Sequence, residues 1–162
     1  MATLQQVTVI SATVKQSFAF LADIERVEQW LPRVVTATRT STVRHGASAE
    51  LAVAVEAGGK RAQGTIRCTD AEAPQRLTFI STLDVGVVST TTFDLAADGK
   101  QTRLTATLDY SFTGRGFGRM LGSLFGDSYA RQDLTTALAN LKTGIEAEQA
   151  ARLQRRRGAA AL

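Results

Sequence analysis

From Val34 to Thr113 the chain alternates apolar and polar residues in short runs, broken at His45-Gly46, Gly58-Gly59, Ala73-Pro74, Asp84 to Gly86 and Asp98-Gly99. Period-two alternation places successive side chains on opposite faces of a strand, and turn residues between such runs join antiparallel neighbours. Arg61, Gln63, Thr65 and Arg67 alternate with Ala62, Gly64, Ile66 and Cys68; Leu104, Ala106, Leu108, Tyr110 and Phe112 alternate with Arg103, Thr105, Thr107, Asp109 and Ser111. Leu77, Phe79, Ser81 and Leu83 form a similar inward set, as do Val87, Ser89, Thr91, Phe93 and Leu95. A sheet with one apolar face must be covered. The cover is the proline-free segment from about Phe117 to Arg157, in which Leu134, Leu138, Leu141 and Ile145 make one apolar stripe at offsets of i, i+4, i+7 and i+11. These constraints specify an α+β fold: an antiparallel sheet covered by a long terminal helix.

The N-terminal stretch adds smaller pieces. Gln6 to Ile10 reads as a strand, and Thr13 with Gln16 offers a capping box for a helix that places Val14, Phe18 and Leu21 on one face. Asp23 caps a second short helix running to Trp30, and Pro32 stops it by disfavouring helical geometry in the residue before it. No repeat or linker divides the 162 residues, so one domain over 1–162 is expected. Cys68 is the lone cysteine and no apolar leader or membrane-length run occurs, which together predict a cytoplasmic protein. The net charge of +4 owes much to Arg152, Arg155, Arg156 and Arg157, in a stretch (152–162) expected to be a frayed basic tail. Without those arginines the body is near neutral, so no nucleic-acid partner is expected.

The order strand, two short helices, antiparallel meander, long helix resembles the START-like, or SRPBCC, superfamily of polyketide cyclase/dehydrase, lipid transport and birch-pollen-allergen-like proteins. The resemblance spans nearly the whole chain. Its phrases are Ser11-Ala12-Thr13-Val14, Asp23 to Trp30-Leu31-Pro32, Pro74-Gln75-Arg76-Leu77, Thr92-Phe93-Asp94-Leu95 to Asp98-Gly99, Thr102-Arg103-Leu104-Thr105, and Leu141-Lys142 near Glu146. It implies a helix-grip fold, in which the curved sheet wraps the terminal helix and leaves a pocket for an apolar or amphipathic small molecule.

Within that frame the expected ligand-contacting residues come from three places. Trp30 walls one end. Phe79, Ser81, Leu83, Val87, Ser89, Thr91, Phe93, Leu108, Tyr110 and Phe112 face inward from the strands, apolar walls with a few hydroxyls to fix orientation. Leu121, Leu124, Phe125, Ser128 and Gln132 belong to the start of the helix, where the apolar stripe weakens and, counted back from Leu134, the same face reaches Arg131, Ser128 and Asp127. Catalytic candidates are few: Asp127, Tyr110 and Arg131 serve acid/base chemistry if burial tunes them, while Asp127 and Arg131, at i and i+4, equally suit an exposed ion pair. His45 is the only histidine and sits in a turn, and Cys68 has no histidine nearby in sequence, so neither a metal site nor a thiol nucleophile is expected, nor any cofactor.

Gly114, Gly116, Gly118, Gly122 and Gly126 leave the helical start bare on one side, which suits close sheet packing or a wide pocket mouth, a lid, or, with Phe117, Met120, Arg115 and Arg119, membrane contact. The expected function is therefore binding or transport of a hydrophobic small molecule such as a lipid, isoprenoid or polyketide. A cyclase or dehydratase using the same pocket without metal is the enzymatic alternative, and a membrane-accessory protein with peripheral contact is the third. Monomer and dimer are both open.

Overall fold

The computed structural model describes residues 2–112 and 127–160. Seven strands, β1 (Ala2–Ile10), β2 (Val34–Arg39), β3 (Glu50–Ala57), β4 (Lys60–Glu72), β5 (Arg76–Leu83), β6 (Val87–Asp98) and β7 (Gln101–Phe112), form one antiparallel sheet in the order β1-β7-β6-β5-β4-β3-β2. The meander closes back on its first strand because β1 pairs with β7, Leu4 opposite Leu108 and Ile10 opposite Thr102. Tight turns make this possible. Gly58 and Gly59 take φ of 57° and 76° between β3 and β4, a left-handed geometry that side chains resist. Inside β4, Gly64 lies so close to β5 that a Cβ there would sit 1.9 Å from the Thr82 carbonyl oxygen.

The alternation read from sequence is the alternation observed. Ala62, Ile66 and Cys68 of β4 are buried beside exposed Arg61, Gln63, Thr65 and Arg67, and Leu77, Phe79, Phe93, Leu95, Leu104 and Ala106 build the concave floor of the core. The helix α3 (Asp127–Ala160) lays Leu134, Ala137, Leu138, Leu141 and Ile145 against it. The helix is tied to the first strand at its edge: the Lys142 ammonium donates to the Val9 carbonyl (2.6 Å) and to Glu146 (2.8 Å), and Glu146 accepts the Ser11 N–H. Beyond Gln149 the helix continues through Ala160 with every residue exposed, so the basic tail expected to fray is helical. Alanine, leucine, glutamine and arginine are good helix formers, and no proline interrupts them.

Between β1 and β2 lie α1 (Val14–Ala22), a 3-10 turn at Ile24–Arg26 and α2 (Val27–Trp30). The Thr13/Gln16 capping box is formed in both directions. The buried side of α1 is Ser17, Phe20, Leu21 and Ala22, with Val14 and Phe18 only partly covered, a rotation from the face expected. Two turns of helix with apolar residues on several sides do not choose a face; α3 chooses it, because Gly144 leaves room for the Phe20 ring.

Asp23 caps the 3-10 turn and is 4% exposed. Its carboxylate accepts from the Glu25 N–H (3.1 Å), from two nitrogens of Arg44 (2.9 Å each) and from Arg26, which itself reaches Glu148 on α3 at 2.7 Å. Burial opposes the charged form here, but the Arg44 hydrogen bonds, the Glu25 N–H and the neighbouring cations outweigh it and hold Asp23 below the ordinary aspartate range. The junction that aims α2 over the sheet is thereby clamped.

Candidate functional site

Between the concave face of the sheet, α2 and the first turns of α3 lies a cavity of about 200 Å³. Its floor is built from adjacent strands in register. Ser81 of β5 stands opposite Ser89 of β6, which stands opposite Tyr110 of β7, so three hydroxyl-bearing residues form one row across the concave face. On one side of that row lie Phe79, Thr91 and Leu108; on the other, Leu83 and Val87. α2 supplies Val27 and Trp30, β3 supplies Val53 and Val55, and α3 closes the space with Tyr129, Ala130, Asp133, Leu134 and Ala137. Trp30, Phe79 and Phe93 meet edge to face with centroids 5.7 to 6.3 Å apart, a geometry that aromatic quadrupoles favour.

Two residues that line the cavity each carry a buried polar atom without a hydrogen-bond partner among the described residues. Trp30 and Tyr110 are 5% and 7% exposed, and among the described residues neither the indole Nε1 nor the phenol oxygen finds a hydrogen-bond partner. Buried polar groups are nearly always paired in native proteins, so two orphans lining one cavity are a specific feature of it.

The charged groups lining the cavity, among the described residues, are Arg33 and Asp133. Arg33 Nε donates to both carboxylate oxygens of Asp133 at 2.8 and 2.9 Å, its guanidinium carbon lies 5.0 Å from the Tyr129 ring centroid, and its backbone holds φ at 71°. Burial pushes the Asp133 carboxyl above the usual aspartate range, and the Arg33 hydrogen bond and charge work against that rise.

The expected strand residues Phe79, Ser81, Leu83, Val87, Ser89, Thr91, Phe93, Leu108 and Tyr110 all line the cavity, and so does Trp30. Phe112 does not: it packs edge to face on Tyr110, centroids 6.2 Å apart, at the border of the core. Ser128, Arg131 and Gln132 lie outside the lining, at positions of α3 turned toward solvent. The buried stripe of α3 runs back from Leu134 through Ala130 rather than Arg131, one residue from the expected phase, which brings Asp133 and Tyr129 inward instead. Leu121, Leu124, Phe125 and the glycine-rich run fall outside the described residues, and Asp127 is described only as a helical residue. Sequence reasoning misses the two charged residues of the wall, Arg33 and Asp133, and apolar ones such as Val27, Val53, Val55, Ala130 and Ala137. A one-residue shift of the helical stripe finds Asp133, whereas nothing local in the sequence announces that Arg33 turns inward after Pro32.

Other chemistry has little to work with. The Cys68 thiol is fully buried and pushed up to about 11 by that burial, so it is a poor nucleophile. His45 is exposed in its turn, 3.8 Å from Asp23. Among the described residues no three His, Cys, Asp or Glu side chains gather to hold a metal ion, and no helix is long and apolar enough to cross a membrane.

Residues 1–146 match the family described as polyketide cyclase / dehydrase and lipid transport. No curated protein sequence matches. Among solved structures, one from Thermus thermophilus superposes with a TM-score of 0.74 at 20% identity, covering 91% of this chain and 99% of that one. A START superfamily protein from Mycobacterium smegmatis gives 0.65 at 17% identity over 88% and 98% of the two chains. The ZhuI aromatase/cyclase from Streptomyces sp. R1128 gives 0.66 at 14% identity over 94% and 95%. These likenesses share the fold.

Proposed function

Because the chain belongs to the polyketide cyclase / dehydrase and lipid transport family, we propose that it binds a hydrophobic small molecule in the cavity between sheet and α3 and carries or presents it without covalent chemistry. The observation that supports this most is the pairing of an apolar, aromatic-walled cavity with two orphaned polar atoms, on Trp30 and Tyr110. Apolar walls gain free energy by desolvating a guest, and a few polar groups orient it. In the test, protein purified from its own host shows a bound small molecule in native mass spectrometry. Ala137→Phe, which fills the cavity from α3, removes it while the circular dichroism spectrum is retained. Protein that is empty in both forms overturns the reading.

The alternative is a cyclase or dehydratase. Asp133 favours it, since a carboxyl raised by burial in a cavity wall is suited to proton transfer. That reading requires Asp133→Asn to abolish turnover of a polyketide substrate while leaving its affinity measurable.

A further inference from the structure

We propose that the cavity selects an uncharged, oxygen-bearing guest over the corresponding carboxylate, with Tyr110 and Trp30 setting the preference and the Arg33–Asp133 pair excluding the anion. The inference rests on the reading of the cavity as a ligand site and adds the class of ligand.

An anion entering an apolar cavity gives up its hydration and needs a cation in return. Among the described residues the one cation in the wall is Arg33, and its charge is balanced by Asp133, whose two oxygens share the Arg33 Nε–H at 2.8 and 2.9 Å. A carboxylate guest therefore brings a second negative charge to a pair that is already neutral, and the two carboxylates would share one cation in a low-dielectric wall. A neutral oxygen meets the opposite situation. The Trp30 indole can only donate, and the Tyr110 hydroxyl can donate or accept. Both side chains are more than nine-tenths buried, and their polar atoms have no partner among the described residues. A guest carbonyl or hydroxyl oxygen satisfies them without carrying a charge inside. Ser81 and Ser89, in register with Tyr110, extend the same neutral hydroxyl row across the floor.

Calorimetric titration near neutral pH with naphthalene, 2-naphthol and 2-naphthoate decides the matter, because the three share one ring system and differ in the oxygen and its charge. The wild-type protein should bind 2-naphthol about tenfold tighter than 2-naphthoate and about fivefold tighter than naphthalene, the size of one net neutral hydrogen bond. Tyr110→Phe or Trp30→Phe should erase part of the naphthol advantage over naphthalene, and Asp133→Asn, which frees the Arg33 charge, should raise naphthoate affinity about tenfold against naphthol. Wild-type protein that binds naphthoate as tightly as naphthol overturns this inference and leaves the ligand-site reading standing. A naphthol advantage that survives intact in both Tyr110→Phe and Trp30→Phe does the same. Failure of all three compounds to bind sinks both.

Discussion

Two buried polar side chains of this protein have opposite relations to stability. The Asp23 carboxylate is fully engaged by Arg44, Arg26 and the Glu25 N–H, so Asp23→Ala removes a cap and several charge-assisted bonds and is expected to lower stability by about 3 kcal/mol in urea unfolding. Its folded pKa lies below the unfolded one. The stabilisation is therefore present above the ordinary aspartate value and lost as pH falls through the folded value. Urea midpoints measured along an acid series should fall more steeply for the wild type than for Asp23→Ala. Tyr110 behaves otherwise: its hydroxyl is buried with no partner among the described residues, so Tyr110→Phe removes an unsatisfied group and is expected to be neutral or stabilising by up to about 1 kcal/mol in the empty protein. A clear loss of thermal stability in that variant would mean that the hydroxyl is paired in solution.

At the scale of elements, two glycines make different demands. In β4, Gly64 faces the backbone of β5, and a methyl group there would meet the Thr82 carbonyl at 1.9 Å; Gly64→Ala must push two strands apart and is expected to cost about 3 kcal/mol in denaturant unfolding. On α3, a methyl at Gly144 would meet the tip of the Phe20 ring at 2.8 Å, and a small change in χ1 moves the far end of that side chain away. Alanine also gains about 1 kcal/mol of helix propensity over glycine, so Gly144→Ala is expected to lie within about 1 kcal/mol of wild type in the same measurement. Legibility in the sequence also divides by element. Strand faces are legible because the side-chain period is two and any slip exposes a whole apolar set, so Phe79, Ser89 and Tyr110 can be placed. Helix faces are less so: a one-residue change of phase turns a helix by about 100°. That is why periodicity points Arg131 inward where Ala130 and Asp133 are found, and Phe18 where α1 buries Phe20.

For the whole molecule, the family match ends at residue 146, close to the last core residue of α3, Ile145. Residues 150–160 are exposed, and the ion pair that Arg152 makes is with Glu148 on the same helix. A chain ending at Gln149 is therefore expected to keep its fold and its cavity, with stability changed by less than about 1 kcal/mol in thermal unfolding. Local periodicity and turn chemistry are enough to dictate the sheet, its inward faces, the capped turn into α2 and the helix that must cover them. They do not dictate that the cover is incomplete, that Trp30 and Tyr110 are left without partners, or that Arg33 meets Asp133 in the cavity wall. Those features arise only once the chain is packed, because they depend on how far a curved sheet stands from a helix and on contacts between residues far apart in the chain, and no local pattern encodes such distances.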